Sequence, residues 1–325
     1  MNTVKQVLPL PWRTDRTNLK GVFLPIITLA ILMMVFTFLN ENFLSSNNLS
    51  NLLREMSILL VVALAGTIVI LIGSIDLSVG AIVTLSGTIS AFTIPSLGVG
   101  AVGVAMLVGL VAGLINGVVF TAFRIPSFLV TLGMLSAFTG LSNFISNGRP
   151  ILFSNAQFSS LSQGMLIPGI PNLFLFSIIC FIVMVFITSR TVFGRNVFAV
   201  GGGEKVAELS GIKVKRLKVL VFMISGVLCG LAGALLTARI GAGTPRAGDP
   251  YLLDSIAAAV IGGTALSGGI GGPHKTIIGV LVITVLSNGM NITGIHPYIQ
   301  DMIKGIVVIA AVAATIDRSK FSLTK

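Results

Sequence analysis

The chain has 325 residues, of which 54% are hydrophobic and only 10% charged, and its 21 Lys and Arg against 10 Asp and Glu give a formal net charge of +11. Soluble domains carry about 25% charged residues, so a soluble globular protein is excluded. The basic residues sit between apolar runs and form no stripe interleaved with aromatics, which argues against nucleic acid and for membrane orientation.

Residues 1–20 are polar and include Lys5, Arg13, Arg16 and Lys20. The first apolar run, 22–40, ends at Asn40-Glu41-Asn42 without a small-residue cleavage site, so it reads as an uncleaved span. Further runs able to cross a hydrocarbon core of roughly 30 Å are expected at 54–73, 77–96, 99–122, 127–146, 171–189, 218–238, 252–268, 275–290 and 299–316. The expected fold is an all-α integral membrane protein of about ten transmembrane helices, some broken or short, in one domain over 1–325. With the N-terminus inside, 16 basic residues fall on the cytoplasmic side and 5 on the other. The positive-inside rule then places both the 1–20 and 317–325 tails in the cytoplasm.

Between Ser57 and Pro95 the chain is about two spans long, with Asp76 as its only charge, inside Gly73-Ser74-Ile75-Asp76-Leu77-Ser78-Val79-Gly80. A helix broken near Gly73 is expected, with Ser74 or Asp76 able to cap the helix that follows. Leu253-Asp254-Ser255 opens a similar small-residue stretch, five spans further on, which suggests an inverted five-helix repeat. A charge at membrane depth costs at least roughly 2.5 kcal/mol unless capped, paired or hydrated. Asp76 and Asp254 therefore read either as helix caps or as sites for a coupling ion or proton. Gly73, Ser78, Asn116 and Asn288 are further helix-break or pathway candidates, and the two asparagines could equally hydrogen-bond between helices. Small residues four apart, as at Gly109, Gly113 and Gly117 and at Gly226 and Gly230, allow close helix approach.

Asn147 to Asn172 is rich in Gly, Pro, Ser and Asn and reads as a periplasmic loop. Residues 190–218 form a long cytoplasmic loop holding 7 of the basic residues. Within it Glu204–Ser210, bounded by Gly201–Gly203 and Gly211, reads as a helix of about two turns, with Ala207 and Leu209 as apolar surface. A solvated loop and a docking helix for a cytoplasmic partner both fit. Gly268–Thr276 lacks the Gly before Lys275 that a phosphate-binding loop requires and is expected to be a tight turn. His274 and His296 stand alone, Cys180 and Cys229 lie in apolar spans, and no catalytic grouping can be assembled.

In order along the chain, Gly73–Gly80, the loop through Leu209-Ser210-Gly211-Ile212 and Leu253–Thr264 resemble the corresponding motifs of the ribose-type ABC transporter permeases. These are the monosaccharide branch of the ribose and branched-chain amino-acid permease family, and the resemblance runs from about Phe38 to Ile316. It implies the permease subunit of an ATP-driven importer of ribose or a related sugar, working by alternating access in the bacterial inner membrane. It also implies a second permease copy, cytoplasmic ATPase subunits that use ATP and Mg, and a periplasmic sugar-binding protein. The chain itself would be no enzyme and bind no cofactor. On this resemblance Gly203, Glu204, Lys205, Ala207, Glu208, Leu209, Ser210, Gly211 and Ile212 form the segment that couples to the ATPase, with Gly203 where the family pattern commonly has Asn. An ion-coupled secondary transporter is the alternative, for which Asp76 and the suggested repeat speak; an integral-membrane enzyme lacks a catalytic cluster.

Overall fold

The structure, a computed structural model, describes residues 19–315; the expected tail at 317–325 and all but the last two residues of that at 1–20 lie outside the described residues. In chain order the helices are α1 (Leu19–Leu39), α2 (Ser46–Leu71), α3 (Val79–Leu97), α4 (Ala101–Phe123), α5 (Ser127–Ser146), α6 (Ala156–Gln163) and α7 (Asn172–Arg190). They continue as α8 (Val192–Gly202), α9 (Glu204–Leu209), α10 (Val214–Ile240), α11 (Asp249–Ile261), α12 (Pro273–Ile292) and α13 (Pro297–Thr315). Strands β1 (Ile151–Leu152) and β2 (Ala242–Gly243) pair antiparallel.

Six segments among the described residues are long and apolar enough to cross a membrane, one of them, Val79–Phe123, comprising α3 and α4 around a 3₁₀ turn at Gly98–Gly100. The all-α membrane fold is as expected, while the count of ten spanning helices is not reproduced. Several boundaries also move. The helix expected from 54 begins at Ser46, because the Ser45 side chain accepts the Asn48 N–H and a polar first turn is thereby capped. That expected from 218 begins at Val214.

The expected span at 252–268 is the largest departure. α11 has 13 residues, about 20 Å at the helical rise, and is too short to cross. After α10 the chain turns back into the bundle. Ala242–Gly243 pairs with β1, Gly243 lies against Thr88 and Ala91 of α3, and Gly248 lies against Gly80 and Thr84, two turns nearer the start of α3. The Gly248 N–H donates to Thr84 Oγ1 at 2.9 Å. Non-helical backbone at this depth is tolerated because it is enclosed by protein and lines a cavity. Asp249 and Pro250 open α11, as an acidic residue and proline do in a first turn.

Two helices organise the core. α2 is buried without interruption from Met56 to Ile72, as a helix that is apolar all round must be. α10 crosses α4 on glycine: a Cβ on Gly109 would strike the Gly226 carbonyl, one on Gly226 the Gly109 carbonyl, and one on Gly113 the Phe222 carbonyl. Such contact brings backbones close enough for dispersion to hold helices together in lipid, where water drives nothing. α3 packs on α4, α5 and α10, while α11 packs on α12, α13 and α2.

Candidate functional site

The break after α2 forms as expected. Gly73 has φ +71°, a conformation that disfavours a side chain, and it turns the chain out of α2. The carbonyl of Leu71, left free at the helix end, accepts the Gly269 N–H at 2.9 Å. Ser127 Oγ accepts the Ile75 N–H at 3.1 Å and Thr131 Oγ1 that of Leu77 at 2.9 Å, so α5 holds the crossing segment. Asp76 Oδ1 accepts from the Ser78 amide at 2.8 Å and the Ser78 hydroxyl at 2.6 Å. Ser78 occupies the cap position of α3 without a side-chain cap bond, so Asp76 secures the turn that precedes the helix. The Asn116 side-chain amide donates to Ser78 Oγ at 2.8 Å, joining α4 to the same buried network. Asp76, Ser78 and Asn116, picked separately from the sequence, are thus brought together.

Asp254 and Asn288 are not part of this network. Asp254 lies inside α11, five residues past its start, and pairs with Lys304 Nζ at 3.0 Å; the cap reading of Asp254 is overturned. The helix begins earlier than the apolar pattern indicated because Asp249 and Pro250 start it. Asn288 Oδ1 accepts from the Asn48 side-chain amide at 2.9 Å, and Asn48 also donates to the Phe43 carbonyl at 2.8 Å. It clamps α12 to the beginning of α2. Lys304, Arg239 and Glu55 stand near span ends, where a charge gives no local sign of a buried partner. A lysine flanked by apolar residues inside 299–316 was the available signal.

Beside the Asp76 network, a cavity of about 540 Å³ opens between α3, α5 and the start of α11. Gly80 and Ala81 form its floor on α3, while Ser136, Thr139 and Asn143 present polar groups from one face of α5. Residues three and four apart share a helix face, which is why these three line one wall. Opposite them Arg246 Nε pairs with Asp249 Oδ2 at 2.7 Å. Arg246 is left-handed at φ +61°, rare for a residue with a side chain. The cavity has hydroxyl, amide and charged groups on an otherwise apolar wall, a lining suited to a small hydrated solute.

The loop at 190–218 contains two helices rather than one. Thr191 caps α8 by accepting the Gly194 N–H at 3.1 Å, and Gly203 separates it from α9. Gly203 makes no side-chain cap bond, as expected of a glycine in that place. Ala207 is buried against the bundle, so the apolar surface that α9 offers is Val206 (69% exposed) and Leu209 (80% exposed), not Ala207. Glu204 pairs with Lys218 of α10 at 2.7 Å, and the same ammonium lies 4.7 Å from the centre of the Phe120 ring. Lys205, Glu208, Ser210 and Gly211 are exposed around the helix, and the Ile212 N–H closes the turn onto the Ala207 carbonyl at 3.1 Å. Gly201 at the end of α8 meets the Leu71 carbonyl and the Gly269 amide. α8, which leads directly into α9, is thereby in contact with the break after α2.

Residues 48–312 match the family described as branched-chain amino acid transport system / permease component. The ribose import permease protein RbsC of Bacillus subtilis is 42% identical over 306 residues, covering 91% of this chain and 92% of that protein. The D-allose transport system permease protein AlsC of Escherichia coli is 38% identical, covering 88% of each chain. The L-arabinose ABC transporter permease protein AraH of Azospirillum brasilense is 32% identical, covering 92% and 86%. No solved structure matches the chain. A family match over most of the chain, joined to relatives this similar along nearly their whole lengths, makes the chain a membrane permease of the branched-chain amino acid transport system / permease component family, in its ribose-type branch.

Proposed function

We propose that this chain is the membrane-spanning permease subunit of an ATP-driven importer of a monosaccharide, ribose or a related sugar, in a bacterial inner membrane. The observation that carries the reading is the similarity to ribose, allose and arabinose permeases over the length that holds the whole bundle. The geometry supports it: a polar cavity in the bundle, and at one end a short exposed helix held to the bundle by the Glu204–Lys218 pair and by buried Ala207.

In this reading both termini and α9 face the cytoplasm, and Val206 and Leu209 insert into a groove of an ATPase subunit, as short exposed helices do. Gly203 to Ile212 is the coupling segment, with Glu204 serving its geometry through Lys218. ATP and Mg are bound by that partner, a second copy of the permease completes the path, and a periplasmic sugar-binding protein delivers the solute. ATP binding to the partner favours one of two permease conformations, because the docked α9 has different contacts in each. The displacement passes from α8 through Gly201 to Leu71 and Gly269, and so to the segment that carries Asp76. Gly73, Asp76, Ser78 and Asn116 form a hinge, and the cavity of Ser136, Thr139 and Asn143 is a stretch of the sugar path.

Reconstitution with the cognate ATPase and binding protein tests this, with D-ribose, D-allose and L-arabinose as substrates. Uptake of at least one, dependent on ATP and indifferent to an ionophore, is expected. Uptake that persists without ATP and collapses with the ionophore would establish ion coupling instead.

A further inference from the structure

The first turns of α11 separate two cavities. Asp249 and Leu252 line the one described above, whereas Pro250, Tyr251 and Asp254 line a second, of about 220 Å³, walled also by α2, α10, α12 and α13. Two ion pairs stand in its wall, Glu55 with Arg239 at 3.3 Å and Asp254 with Lys304 at 3.0 Å, and the four side chains are only 12–27% exposed. Thr284 and Ser287 of α12 also line it, and both hydroxyls are buried without a partner. Thr284 is 2% exposed. Elsewhere in the bundle Thr67, Thr84 and Thr188 donate to the carbonyl one turn back. Thr284 makes no such bond although it lines the cavity.

The lining specifies a kind of occupant. The two carboxylates and two cations cancel, so the wall favours no net charge. Thr284 and Ser287, the Asn291 amide and the Tyr251 phenol, which hydrogen-bonds Arg239, complete the polar part of the lining, while Leu59 and Pro250 supply an apolar side. A hydroxyl both donates and accepts, so vicinal hydroxyls on a carbon ring satisfy such a wall better than an ion or an apolar molecule does. The volume falls below the roughly 300–1,000 Å³ of drug-sized pockets and suits a single sugar ring. Buried polar groups left open in a native fold are commonly completed by a solute or water.

Resting on the sugar-importer reading, we infer that each permease subunit holds a second binding site for a neutral monosaccharide, inside its own bundle between α11 and α12. It lies at the end of the bundle away from α9, where Asn48 and Asn288 also meet.

The test uses the complete importer in lipid nanodiscs, with Cys180→Ser and Cys229→Ala as background and Ser287→Cys as reporter. Labelling by a small methanethiosulfonate is followed with D-ribose, D-allose or L-arabinose present. Saturable protection of at least fivefold by one of the three is expected, and Thr284→Leu, which fills the cavity, abolishes it while the ATPase still co-purifies. No labelling, or labelling that none of the sugars slows, overturns the second site. Uptake separates the two readings: an importer that transports one of the sugars without protection at Ser287→Cys loses only the second site. One that transports none of them loses the sugar reading, whatever the labelling shows.

Discussion

The Gly269 amide donates to the Leu71 carbonyl at 2.9 Å, and both groups lie against Gly201. One hydrogen bond thus ties the end of α2 to the loop before α12, and α8 covers the junction. A Cβ on Gly201 would overlap the Leu71 carbonyl. Gly201→Leu is therefore expected to lower the melting temperature of the permease in detergent, and the protein that still inserts should show sugar uptake at least tenfold lower. Uptake at the normal rate from proteoliposomes would show that this junction transmits nothing.

Val206 and Leu209 are the exposed apolar residues of α9, while Glu204 is engaged with Lys218. Val206→Asp with Leu209→Asp should abolish co-purification of the ATPase and leave the thermal stability of the permease unchanged. Glu204→Lys with Glu208→Lys should also weaken association, partly by repelling Lys218. Undiminished co-purification of the aspartate pair would remove α9 from the interface.

Gly109 and Gly226 face each other where α4 crosses α10. Overpacking a tight contact typically costs about 1–3 kcal/mol, and here the opposing group is backbone, which cannot move aside as a side chain can. Gly109→Val should lower the melting temperature in detergent by several degrees or prevent accumulation, whereas the same change at Gly103, which has open space around it, should do neither. Equal behaviour of the two variants would refute the crossing.

Lys304 and Asp254 are 16% and 12% exposed, so removing one strands the other. Lys304→Met should destabilise the fold by about 3–5 kcal/mol, and Asp254→Leu added to it should recover most of that loss, because a matched apolar pair replaces a buried ion pair with little penalty. Thermal unfolding of both variants measures this. A double variant no more stable than Lys304→Met alone would mean that Asp254 has a further partner.

Much of the fold is legible without coordinates because each membrane helix must bury its own backbone polar groups and face an apolar surroundings. An apolar run of sufficient length then identifies a helix, as for α5, expected and found at 127–146. The break near Gly73 is legible for the same reason: a charge and a flexible glycine in an apolar stretch leave few alternatives. The glycine spacing of α4 and α10 marks a close crossing, although which helices cross is not encoded in either one.

The features legible along the chain are therefore local: the membrane class, the broken helix at Gly73, the short helix at Glu204 and the family motifs. Everything that depends on partners far apart in the chain comes from the packing of the bundle. The re-entry along α3 replaced an expected span with the short α11, because Gly80 and Gly248 permit a close approach that no local pattern announces. Lys304 turned Asp254 from a cap into half of an ion pair, across 50 residues of sequence. Asp76 and Asn116 gained a common purpose through Ser78, and Thr284 and Ser287, unremarkable in sequence, became the polar side of a cavity. The physical reason is the same in each case: a buried polar group is explained by what it meets, and only the packed bundle brings the two together.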